Sequence, residues 1–235
     1  MSASNPLHPH PFVNRLDQTI ARHAMLKHPF YKLWNEGGLS LETLAEYAKQ
    51  YYAHVHAFPT YVSAVHAHTG DIAVRQQLLE NLIEEERGEA NHPELWLRFA
   101  EGLGVDRQDV LGADLLESTR QSVAVLQQLS HRPDYLEGMA ALYAYESQIP
   151  EVARTKREGL RDFYGLDDDR SVAFFTVHEI ADVEHRASER EIIAAGVTQS
   201  NSAAVLDAAD KAARALWAFL DGVYEAYCHG DVATA

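Results

Sequence analysis

His178-Glu-Ile-Ala-Asp182-Val-Glu-His185 is the stretch whose reading decides the fold. On a helix advancing about 100° per residue, positions i, i+4 and i+7 fall at roughly 0°, 40° and −20°, so His178, Asp182 and His185 share one narrow stripe. Three metal-competent side chains then point one way. A single helix cannot encircle an ion, so a metal site built on this stripe needs carboxylates or imidazoles delivered by other helices.

The rest of the chain offers such helices. Apolar residues recur every fourth position from Phe12 through Leu16 and Ile20 to Ala24, and Pro29 predicts an end near His28. Ser40 reads as an N-cap for a long helix through Leu44, Ala48, Tyr51 and Val55, with a kink or break at Pro59. Asp71 caps a third helix running through Leu78 and Leu82 into Glu84-Glu85-Glu86, and His92-Pro93 marks a bend. Residues 107–129 make an amphipathic helix, and residues 134–164 carry one long stripe interrupted at Pro150. The helix of the opening stretch spans about 170–195 and a last one about 201–227. No alternating segment demands a strand. The expectation is an all-α, single-domain bundle of roughly seven helices over 12–228, with a flexible arm at 1–11 and a tail at 229–235.

Two of these helices offer the missing donors. Glu85 and His92 stand seven apart, two turns along one face if the helix persists that far, while Glu89 and His92 form the Glu-x-x-His spacing of di-iron bundles. Spacing does not separate the two. Glu146 sits in Leu142-Tyr-Ala-Tyr145-Glu146-Ser-Gln-Ile-Pro150, an acid among apolar and aromatic neighbours, where a buried carboxylate needs a cation or a donor. Three carboxylates and three imidazoles from three helices suit iron or manganese, and the lack of cysteine ligands argues against a closed structural zinc site. Each residue alone has a plainer reading, since Glu85 lies in an acidic run and single core histidines are usually just hydrogen-bonded.

Composition narrows the partners. With 235 residues, 46% of them hydrophobic, the chain can bury one substantial core, and its formal charge of −15 argues against nucleic acid or anionic membrane as a partner. The single cysteine, Cys228, has no partner for an intrachain disulfide, and no segment reads as a signal peptide or a membrane span, so a cytoplasmic location is expected. Apolar faces exceed what seven helices hide easily, which suggests a homodimer.

The combined pattern resembles the CADD proteins, a family named for a chlamydial protein associating with death domains. The resemblance rests on His28-Pro-Phe-Tyr31-x-x-Trp34, Tyr47-Ala-Lys-x-Tyr51-Tyr52, Ala57-Phe-Pro59, Glu85 to Asn91-His92, Ala140-Ala-Leu-Tyr-x-Tyr145-Glu146-Ser-Gln-Ile-Pro150 and the stretch from His178 to His185, and it covers about residues 12–225. CADD proteins are haem-oxygenase-like di-metal oxidases, related more distantly to PqqC-type oxidases and TenA-type thiaminases. The resemblance implies that fold, two first-row ions (iron with iron, or iron with manganese), and the ligand set Glu85, His92, Glu146, His178, Asp182 and His185. It further implies an oxygen- and reductant-dependent enzyme that makes para-aminobenzoate for folate, with the ring taken from its own Tyr31 and the amino group from Lys156. By spacing alone Tyr31 is a core aromatic and Lys156 a solvated member of Arg154-Thr-Lys156-Arg157. Tyr47 and Tyr145 are implied pocket residues, as is Phe174, where relatives carry tyrosine.

Three alternatives stand beside this. A PqqC-like oxidase would act on a diffusible small molecule. A TenA-type hydrolase would have only Cys228 as its thiol nucleophile. A helical protein-interaction module would have no use for three buried acids and three histidines around one point.

Overall fold

A computed structural model describes residues 10–228. Most of the expected N-terminal arm and the whole tail at 229–235 therefore lie outside the described residues. Within them the regular structure is all helical, with no strand, in eleven α-helical segments: α1 Pro11–Ile20, α2 Pro29–Asn35, α3 Leu41–His68, α4 Ile72–Glu86, α5 His92–Gly102, α6 Arg107–Leu111, α7 Glu117–Ser130, α8 Tyr135–Glu146, α9 Ile149–Tyr164, α10 Asp169–Gly196 and α11 Ser202–Tyr227. The segments outnumber the seven expected because several stripes are broken at their turns, as where α6 gives way to α7 and α8 to α9.

Local chemistry sets most of these boundaries. Ser40, Asp71, Asn91, Asp134 and Asp168 each accept a hydrogen bond from a backbone N–H in the first turn of the helix they precede. Proline opens α1, α2, α5 and α9, where its missing N–H costs nothing. A kink or a break was expected at Pro59, and α3 runs through it unbroken. Among the described residues no helix is long and apolar enough to cross a membrane.

The helices pack so that α8 is central, buried from Gly138 to Glu146 on every side and held against α11, α10, α7 and α3. This places the carboxylate at its C-terminal end, Glu146, inside the core instead of on a wet face. α10 lies against α5, α8 and α9, so its histidine stripe looks inward at the helices that carry the other candidate donors. On α3, Tyr47, Tyr51, Val55 and Phe58 form one inward face. α2 packs on α9 at Gly159, where an added Cβ would stand 2.8 Å from the Trp34 ring, so glycine permits the close approach.

Candidate metal centre

The structure gathers the six candidate ligands into two adjoining trios, Glu85–His92–His178 and Glu146–Asp182–His185. In each trio one donor atom per residue lies within 4.8 Å of the others. All but His185 are at least nine-tenths buried, and the His185 side chain is only 10% exposed. The pairing of Glu85 with His92 does not come from helical periodicity. α4 ends at Glu86, the chain turns through Gly88 at φ +83°, and Asn91 caps α5, so His92 is the first residue of a new helix. That turn folds His92 Nδ1 to 2.8 Å from Glu85 Oε2. Glu89 is exposed in the turn and belongs to neither trio.

These groups are not at rest with protein partners alone. Glu146 Oε2, Asp182 Oδ2, His92 Nδ1 and His185 Nδ1 are buried without a hydrogen-bond partner, although the two histidine nitrogens lie close to carboxylates. Buried orphans of this kind are costly, about 1–3 kcal/mol each, and metal coordination satisfies them. His178 is prepared differently. Its Nδ1 donates to the Phe174 carbonyl at 2.7 Å, which fixes the tautomer and leaves Nε2 as the lone-pair donor. Asn81 Nδ2 donates to Glu146 Oε1 at 2.9 Å and orients that carboxylate.

The electrostatics agree with a site that expects cations. Burial pushes Asp182 up to about 7, with the carboxylates of Glu146 and Glu85 adding to the rise. Burial opposes charge on His185, but Asp182 and Glu146 beside it prevail and push it up to about 11. Burial likewise raises Glu85 against the pull of His92. Without ions the pocket therefore holds protons where ions would sit, and metal binding would release them. Mixed carboxylate and imidazole donors in two trios fit two first-row ions.

Next to the trios lies an aromatic cage around Lys156. The side chain is 2% exposed, contrary to its place in a basic run. α8 and α9 are separate helices, broken at Ser147–Gln148, so Lys156 and Glu146 are not related by the periodicity of one helix. Lys156 Nζ donates to Tyr47 Oη at 2.6 Å and stands 5.0, 4.8 and 4.7 Å from the ring centres of Tyr31, Tyr47 and Tyr51. The ring faces favour an ammonium. Lost hydration outweighs them, because no carboxylate pairs with Nζ among the described residues, and burial holds the pKa well below the usual lysine value. Tyr31 Oη lies 3.1 Å from Tyr47 Oη, and Tyr145 Oη donates to Tyr51 Oη at 2.6 Å. Burial raises all four phenols, so they stay protonated.

Tyr51 joins the two regions. It lines a cavity of about 30 Å³ together with Tyr145, Phe174 and five of the six candidate ligands, and its ring also faces Lys156. That volume suits a water or a diatomic molecule and is far below the roughly 300 Å³ at which ligand pockets begin. A larger cleft, about 660 Å³, lies elsewhere, between α1, α9 and α10, and contains none of the six. Phe174 stacks on His178 with ring centres 4.1 Å apart and offers no hydroxyl there. Asn81 and Tyr51 were not singled out as site residues from sequence. Asn81 carried no signal, whereas Tyr51 stands one helical turn from Tyr47.

Residues 45–219 match a family described as iron-containing redox enzymes. A protein named 4-aminobenzoate synthase from Nitrosomonas europaea is 44% identical over 227 residues, spanning 92% of each chain. Another of that name from Chlamydia pneumoniae is 41% identical, over 89% of this chain and 93% of its own. A TenA homologue of known structure from Pseudomonas syringae superposes with a TM-score of 0.82 at 18% identity, covering 96% of this chain and 99% of its own, which shows a shared fold.

Proposed function

This chain belongs to the family of iron-containing redox enzymes that includes the 4-aminobenzoate synthases, and we propose that it makes 4-aminobenzoate using its own Tyr31 as the source of the ring and Lys156 as the amino donor. The observation that carries this reading is the cage: a buried amine, its pKa lowered by lost hydration, held 5.0 Å from the Tyr31 ring centre beside two trios of metal donors. An amine attacks an oxidised ring only through its lone pair, and burial keeps that lone pair free.

Two first-row ions, iron with iron or iron with manganese, would be held by Glu85, His92 and His178 and by Glu146, Asp182 and His185, and when bound would supply the redox chemistry that activates oxygen with electrons from an external reductant. The protein's own part is positional. Tyr47 fixes both reacting groups at once, through its contact with Tyr31 Oη and the hydrogen bond it accepts from Lys156 Nζ. The surrounding rings exclude water from an amine that would otherwise be protonated. The 30 Å³ cavity admits oxygen but no aromatic substrate, which supports an internal substrate over the diffusible one of a PqqC-like oxidase.

The test is product formation by metal-loaded protein, reduced and exposed to air. At most about one 4-aminobenzoate per chain is expected from the wild type and none from Tyr31→Phe, whose metal content should be unchanged. Equal product from Tyr31→Phe would overturn the reading.

A further inference from the structure

A second cluster of acids lies on the outer side of the Glu146 trio. Between α4 and α10 a cleft of about 260 Å³ is lined by Glu80, Glu84 and Glu184 at its mouth and by Asn81, His185 and Glu189 deeper in, with no lysine or arginine in its wall. The inner residues are unusual. Glu189 is 3% exposed and neither carboxylate oxygen has a partner; Asn81, 4% exposed, leaves its Oδ1 equally unmatched. The Glu189 carboxyl is buried close enough to Glu146 for the two acids to repel, and His185 is the cationic neighbour of Glu146 on that side. His185 spans the path, with Nε2 at 3.1 Å from Glu84 Oε2 at the mouth and Nδ1 at 3.4 Å from both Glu146 Oε1 and Asp182 Oδ1 inside. In sequence Glu189 falls at roughly 20° on the same helical stripe as His178, Asp182 and His185.

We propose that this cleft is the inlet for a divalent cation and that Glu189, at its inner end, is a seventh metal ligand and fourth carboxylate, serving the Glu146–Asp182–His185 trio. The mouth acids concentrate the cation by long-range attraction. Asn81 Oδ1 and Glu189 offer it oxygen donors as it sheds water, suited to a hard ion such as Mn2+. The inference rests on the reading of the two trios as a metal centre, and the experiment separates the two.

Metal-free protein is titrated with Mn2+ and uptake is followed through the loss of the free-ion EPR signal, at equilibrium and in time. The wild type is expected to take two ions per chain. In Glu189→Gln one ion should bind about ten- to a hundredfold more weakly, the cost typical of losing a carboxylate around a metal, while the other is unchanged. The exposed pair Glu84→Gln and Glu184→Gln should slow uptake severalfold at low salt and leave the final stoichiometry at two. Wild-type affinity and rate in Glu189→Gln would overturn the inference and leave the metal centre standing, whereas a wild type that binds no Mn2+ or iron would overturn the centre itself. Should the glutamine variant not fold, Glu189→Asp and the mouth variant decide, and unaltered uptake in both counts against the inlet.

Discussion

The acid–imidazole pocket and the aromatic cage share Tyr51, yet they are built on opposite principles. In the pocket, four donor atoms of the trios are buried without partners, and its acids are stable only with protons or cations among them. In the cage, every polar atom has an internal partner: Tyr31 with Tyr47, Tyr47 with Lys156, Tyr51 with Tyr145. One region is incomplete without a guest, and the other is complete and sealed. The difference separates two roles, since a site that receives ions must leave donors unmatched, while a site that stores its own reactant must hold it without solvent.

Substitutions can break this contrast, and the largest effects are expected in the pocket. Asp182→Ala should abolish product and remove an ion, read by elemental analysis. Asp182→Asn should do the same yet raise the melting temperature of the metal-free protein, because it removes a buried charge. If metal-free Asp182→Asn were instead destabilised, the pocket would not be the unfinished region described. In the cage, Lys156→Met should also abolish product but leave both ions bound. Its stability should be equal or higher, since the ring-lined site suits an apolar chain.

Tyr47→Phe should act in the opposite sense to Asp182→Asn. It removes the hydroxyl that satisfies both Tyr31 and Lys156 and should cost about 1–3 kcal/mol in a denaturant titration, with ion binding unchanged. The smallest effect is on pH dependence. Asp182 and His185 both have folded pKa values above their unfolded ones, about 7 against 3.8 and about 11 against 6.5. A raised folded pKa means the native state binds the extra proton, so stability is present below the unfolded value and lost as pH rises through the folded one. Lys156 and His178, whose values are lowered, act in the opposite sense but are common to wild type and Asp182→Asn. Metal-free wild type should therefore lose melting temperature relative to Asp182→Asn as pH is raised from about 4 to about 7. The rise in melting temperature on adding Mn2+ should grow over the same range, because ions no longer compete with protons.

Much of this was legible in the sequence wherever information is local. The stripe of His178, Asp182 and His185 needs only helical geometry, and the caps Ser40 and Asp71 stand where their helices begin. Glu146 betrayed itself as an acid among aromatic residues. What was hidden depends on turns and on packing between distant segments. Gly88 and the Asn91 cap decide how Glu85 meets His92, and the break at Ser147–Gln148 decides where Lys156 points. Lys156 looked solvated because its sequence neighbours are charged, whereas its spatial neighbours are rings from α2 and α3. Pro59 looked like a helix breaker, but α3 continues through it. Glu189 continues the opening stripe by one more turn, yet it was not singled out from sequence, where the recognised stripe stops at His185.

In the proposed reaction the enzyme's substrate is its own tyrosine. Protein produced with ring-labelled tyrosine, stripped of small molecules, loaded with unlabelled iron and manganese, then reduced and exposed to oxygen, tests it most directly. The account predicts 4-aminobenzoate carrying the ring label, at no more than about one per chain, with the matching mass loss confined to the peptide containing Tyr31. Unlabelled 4-aminobenzoate, or labelled protein of unchanged mass after many turnovers, would contradict it.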